Sequence, residues 1–164
     1  MGRGEIYKCS KCGNEYSVYF GTGFSFDSVY GETMEDVASG KYGEERKELL
    51  EKVKYIAVDS ESDVYICGNC GFWKQEQGLG LYKPKNPEKI AKEKFGDKTV
   101  EELGYVPYVM RYKLLEDYRL VKTYVHRCDK CGRRMRRATE EDLGRLPCPV
   151  CGTENLMTRQ ILWD

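Results

Sequence analysis

The sequence predicts an α+β protein of two small antiparallel units, the first carrying a helical insert and the two joined by a helical linker. Three observations predict it. All eight cysteines of the 164-residue chain fall into four Cys-x-x-Cys-Gly groups. Runs rich in Tyr, Val, Ile and Phe flank these groups, as pleated surfaces favour. Helix signals are confined to the stretches between them. The length allows one ordinary domain or two small ones, and units well below about 100 residues need staples because their cores stabilise weakly.

Taken in order, Tyr16–Phe20 alternates as a strand before Gly21-Thr22-Gly23. Thr33 with Asp36 reads as a helix start and Gly40 as its stop. A second helix is expected over Glu44–Lys54, with Leu49, Leu50 and Val53 on one face. Tyr55–Val58 and Val64–Ile66 are strands, and the insert spans about 21–58. Gly78-Leu79-Gly80 and Gly21-Thr22-Gly23-Phe24 lack the Lys-Ser/Thr of a phosphate loop and read as hairpin turns. Lys83–Pro87, Pro-rich and polar, is the linker candidate. It divides the chain into 1–83, a helical linker over 84–117, and 118–164. In the linker, Asn86-Pro87-Glu88 is an N-cap, first position and acidic first turn, closed by Gly96. Thr99 with Glu102 forms a capping box ending near Gly104. Tyr105–Leu115 is apolar enough to bridge the halves. Tyr118–Arg127 and Leu156–Trp163 are strands, and Thr139–Asp142 is a single helical turn.

The groups themselves are Cys9-Ser-Lys-Cys12-Gly13, Cys67-Gly-Asn-Cys70-Gly71, Cys128-Asp-Lys-Cys131-Gly132 and Cys148-Pro-Val-Cys151-Gly152. Two residues between thiolates let a tight turn aim both sulfurs at one cation, and the following Gly accepts the positive φ that the turn needs. Two such knuckles close a tetrahedral shell. A disulfide framework needs an oxidising compartment, and no export signal opens the chain. A redox Cys-x-x-Cys sits at a helix start in a βαβ unit, a setting none of the four has. Structural metal remains. Sixteen residues separate Cys131 from Cys148, inside the window of a four-cysteine zinc site. Fifty-four separate Cys12 from Cys67. Sequential, interleaved and nested pairings are all open. The reading adopted is sequential, with Cys9, Cys12, Cys67 and Cys70 as site 1 and Cys128, Cys131, Cys148 and Cys151 as site 2. His126, the only His, precedes Cys128 by two as Tyr7 precedes Cys9 and Tyr65 precedes Cys67. It reads as a packing ring and not as a ligand.

The pattern aromatic-x-Cys-x-x-Cys-Gly with a second knuckle such as Cys148-Pro149-Val150-Cys151-Gly152 resembles the zinc-ribbon group, which includes the rubredoxin-like folds. The resemblance covers 118–164 and, nearer the N-terminus, the two knuckles and their flanks. It implies a small three-stranded sheet and Zn, or Fe as in rubredoxins, on each pair of knuckles. Both metals accept four thiolates. The segment Gly132–Pro147 is charged and has no aromatic residue to pack round an electron-transfer site, so zinc is the expected ion, two per chain, with iron the alternative. Two filled sites would carry the chain from a formal charge of 0 to about -4.

That zero is unevenly made. Residues 118–164 hold ten basic and six acidic groups, residues 1–117 seventeen and twenty-one. Arg133, Arg134, Arg136 and Arg137 follow the third knuckle. They are candidates for contact with nucleic acid, or for pairing with Glu140, Glu141 and Asp142. The thirteen Tyr are expected to fill small cores. One His, no Ser/His/Asp set and closed metal shells argue against catalysis. Negative mean hydropathy and no apolar run of about 18 residues argue against a membrane span, so a cytoplasmic protein is expected. The expected function is a zinc-binding protein-interaction module whose partner is another protein. A nucleic-acid-binding ribbon and a rubredoxin-like electron carrier are the alternatives.

Overall fold

A computed structural model describes residues 2–163. In chain order its elements are β1 (Gly2–Lys8), β2 (Glu15–Phe20), α1 (Phe26–Ala38), α2 (Glu44–Lys52), β3 (Ala57–Val58), β4 (Ser62–Ile66), β5 (Trp73–Gln77), β6 (Leu81–Pro84), α3 (Pro87–Phe95), α4 (Val100–Leu103), α5 (Arg111–Asp117), β7 (Tyr118–Lys122), β8 (Arg136–Arg137), α6 (Glu140–Gly144) and β9 (Met157–Trp163). The fold is mixed α/β with three small antiparallel sheets, ordered β2-β1-β9, β5-β4-β8 and β3-β6-β7. Among the described residues no helix is long and apolar enough to cross a membrane.

The chain divides into two units, but not at 83/84 and 117/118. Unit 1 takes the chain up to Phe24, then Ser62–Gln77, then Val125 onward; unit 2 takes Ser25–Glu61 and Gly78–Tyr124. The expected linker is inside unit 2. Lys83 and Pro84 end β6, the middle strand of its sheet, where Pro84 pairs with Tyr118. The reason is burial: Leu81 is fully buried and Pro84 is buried with it. A Pro at the last residue of a strand removes no donor from its middle. Gly78–Gly80 is likewise no hairpin turn, since it joins β5 to β6, which lie in different sheets.

Unit 1 is built from one hairpin used four times. In each, the residue before the first Cys pairs with the residue six after that Cys: Lys8 with Glu15, Ile66 with Trp73, Arg127 with Arg134, Pro147 with Glu154. Each first Cys donates its amide to a carbonyl five residues on, and each Gly donates back to that Cys carbonyl at 2.8–3.0 Å. The four glycines sit at φ +69° to +75°, the left-handed region that favours Gly. The hairpins then assemble into two equivalent three-stranded sheets. The strand leaving the fourth knuckle, β9, adds beside β1. The strand leaving the third, β8, adds beside β4. The registers correspond: Tyr7 faces Met157 and Tyr65 faces Arg137, each tyrosine two before its Cys and each partner nine after the opposing one.

Two apolar clusters hold unit 1. The larger gathers Tyr7, Tyr16, Val18, Val64, Leu143 and Leu146 with Cys9 and Cys148. The smaller gathers Tyr65, Cys67, Cys128 and Met135, with Phe72 against it. The tyrosines are anchored at both ends. Tyr7 stacks on Tyr16 at 5.1 Å between centroids, and their hydroxyls donate to the Leu143 and Leu146 carbonyls at 2.7 and 2.5 Å.

Unit 2 packs α1, α2, α3 and α5 on the β3-β6-β7 sheet round Tyr30, Val37, Val58, Leu81, Ile90 and Leu114. Its caps follow the sequence. Asn86 accepts from the Lys89 amide, Gly96 and Gly104 close their helices in the left-handed conformation, and Thr99 and Glu102 form the capping box. The first helix does not. α1 begins at Phe26, seven residues before Thr33, which is buried inside it with its hydroxyl on the Val29 carbonyl at 2.6 Å. The start is illegible because Ser25 makes no side-chain cap. In Tyr105–Leu115 the regular part is α5, preceded by a stretch without regular structure that buries Val109.

Candidate metal centres

All eight sulfurs collect in two groups of four. Within each, the Sγ atoms lie within 4.8 Å of one another. The pairing is nested and not sequential. Cys9 and Cys12 meet Cys148 and Cys151 in an outer group, while Cys67 and Cys70 meet Cys128 and Cys131 in an inner one. Chain spacing misled because the sixteen-residue stretch after Cys131 does not close on itself. Its first part forms β8 on β4, which brings the third knuckle to the second. Its second part is turned by α6, whose Leu143, with Leu146 beyond, enters the larger cluster. β9 then runs seven residues along β1 and sets the fourth knuckle beside the first. Ladder hydrogen bonds and apolar burial over whole strands outweigh the loop-closure advantage of a short separation, which grows only logarithmically with length.

The sulfurs fit a tetrahedral cation. Bonds of about 2.3 Å to a metal give a tetrahedron with edges of about 3.8 Å. Between knuckles, Cys9 lies 3.5 Å from Cys151 and Cys12 3.7 Å from Cys148, and Cys67 to Cys131 and Cys70 to Cys128 are each 3.5 Å. A disulfide would need about 2.05 Å, and all eight cysteines are free. In each pair the first Cys is buried beneath its turn. The second is exposed at the tip, or half-buried in the case of Cys151.

The turn also tunes the sulfurs. The amides of Cys12 and Lys11 point at Cys9 and pull its thiol down to about 6, and those of Cys70 and Asn69 do the same for Cys67. The Asn14 amide favours a thiolate at Cys12, but burial and the neighbouring sulfurs prevail and push it up to about 12. At Cys70 the Phe72 amide is overcome in the same way, and the thiol rises to about 11. Four thiolates at this spacing repel one another, and a divalent cation removes the conflict.

The knuckles of each group are tied to one another by residues that the cysteine pattern does not reveal. In the outer group, Asn155 accepts from the Ser10 amide and hydroxyl at 2.9 and 3.2 Å and donates to the Thr153 carbonyl at 2.7 Å. It is nearly fully buried. The Asn14 side-chain amide reaches Cys148 Sγ at 3.9 Å, and Cys151 Sγ lies 3.4 Å from the Thr153 hydroxyl. In the inner group Lys74 bridges to Asp129 at 2.9 Å. Trp73 donates to the Pro147 carbonyl at 2.7 Å and so holds the fourth hairpin against the second. The only available signal was position, since Asn155 stands four after Cys151.

His126 packs and does not ligate. Its ring stacks on Tyr65 at 3.6 Å between centroids, and Nδ1 lies 2.7 Å from Glu76. The two residues that precede the inner knuckles by two thus stack on each other. The four arginines part company. Arg136 forms a two-pronged pair with Asp142 at 2.5 and 2.9 Å, and Arg137 pairs with Asp63 at 3.1 Å. Arg133 and Arg134 are exposed. Comparison with family models, with curated proteins and with solved structures finds no match to this chain.

Proposed function

We propose that the two groups are structural zinc sites of paired zinc ribbons, in a non-enzymatic protein that acts as a protein-interaction module. The observation that carries the metal reading is the tetrahedral spacing of eight free sulfurs in two closed sets of four. A catalytic zinc keeps an open position, and four thiolates leave none. Bound zinc supplies folding free energy and charge compensation at each site. The Arg133–Arg137 stripe favours polyanion binding less than its composition suggests, because Arg136 and Arg137 already have carboxylate partners. An interaction role is what a scaffold without an open metal position or a catalytic set supports. The test is elemental analysis of full-length protein purified without added metal. About two colourless zinc ions per chain are expected. Iron in their place, with the red colour of a ferric thiolate site, overturns the zinc assignment.

A further inference from the structure

Unit 2 carries an open groove along α1. Two adjoining hollows of about 540 and about 750 Å³ share Glu35, Val100, Glu101 and Val106 as a common wall. The floor of the first hollow is apolar, lined by the buried Met34, Ile56 and Phe95 together with Leu50, Val100 and Val106. The second hollow is acidic: Asp27, Glu32 and Glu35 of α1 and Glu101 of α4 line it, and Glu35 and Glu101 also line the first. The two lysines of the lining are engaged, Lys52 with Glu48 at 2.8 Å and Lys54 over the Tyr55 ring at 5.1 Å. Among the described residues Asp27, Glu32 and Glu35 enter no ion pair.

We propose that this groove is the docking site for a basic amphipathic segment of a partner protein. The proposal rests on the interaction-module reading and says where the module binds and what it takes. An apolar floor between walls accepts the alternate-turn apolar side chains of a helix laid lengthwise. Solvent-exposed carboxylates on the rim cost nothing in the free protein and select Lys or Arg on the flanks of the incoming segment. The same carboxylates repel nucleic acid and anionic membrane surfaces, which leaves a cationic peptide as the fitting occupant.

The test uses full-length, metal-loaded protein and three labelled peptides of about five helical turns: one of Leu and Lys in amphipathic register, its Leu/Glu counterpart, and a Lys/Ser peptide of equal charge. Fluorescence anisotropy is expected to show binding of the Leu/Lys peptide alone, weakened about tenfold between about 0.05 and 0.5 M salt. Glu32→Lys with Glu35→Lys is expected to weaken it by about tenfold or more. Val100→Asp, at a residue already 37% exposed and so tolerant of the change, should do likewise. Absence of Leu/Lys binding overturns the proposal. So does equal binding of either control peptide, or indifference to the variants. Metal content measured on the same samples separates the two readings: full metal with no peptide binding sinks the groove alone, and peptide binding without metal sinks the metal assignment alone.

Discussion

Asn155 shows what a single residue does for the outer group. It joins the loop of the first knuckle to the chain just beyond the fourth, across nearly the whole sequence. Partners that orient ligands in this way are typically worth about 10–100-fold in metal affinity. Asn155→Ala is therefore expected to lower metal retention at the outer group by about that factor, read by chelator competition, and to leave the inner group unchanged. The sulfurs make a prediction of their own. In the metal-free protein the thiols of Cys12 and Cys70 lie above the usual cysteine range and those of Cys9 and Cys67 below it, so each group shares protons among its sulfurs. Zinc addition is then expected to release at least one proton per site into weakly buffered solution. Retention should fall as pH drops, because protons compete with the metal for the thiolates. At this scale the eight candidate ligands were legible as Cys-x-x-Cys turns, since their spacing is a local property of a turn. Asn155, Lys74 and Trp73 were not, because each acts on a residue that only the tertiary pairing brings near.

Among the elements, α6 decides the topology. Its five residues turn the chain from the inner group to the outer one, and a complete capping box of Thr139 and Asp142 starts it. Arg136 and the Thr139 amide and hydroxyl hold the Asp142 carboxyl well below the usual carboxylate range. Thr139→Ala is expected to cost about 1 kcal/mol in urea unfolding. Leu143→Ala, which empties a 5% exposed site in the larger cluster, should cost about 2–5 kcal/mol. β1, β5 and β6 were not read as strands, but the stops at Gly96 and Gly104, the capping box of Thr99 and Glu102, and the strands β2, β3, β4, β7 and β9 were readable from short-range signals. The start of α1 was not, for want of a capping side chain.

At the scale of the whole molecule, the nested order has a thermodynamic consequence. Unit 1 is assembled from three separated segments, whereas unit 2 has its own apolar core of helices on a sheet. Chelation is expected to unfold unit 1 and leave most of the helical circular dichroism, since among the described residues five of the six helices belong to unit 2. Freeing residues 62–77 only lengthens a loop within unit 2, at a modest entropic cost. Loss of the whole helical signal in one transition would show that the units do not hold apart. The sequence shows the number of sites and hides their partition, because spacing ranks pairings by loop length while the fold ranks them by strand pairing and burial.

That partition is the central claim, and metal stoichiometry in paired cysteine variants tests it most directly. Cys12→Ser with Cys151→Ser strikes one group under nested pairing and should leave about one metal per chain. Cys12→Ser with Cys70→Ser strikes both and should leave about none. The reverse result, one metal in the second variant and none in the first, would contradict the account.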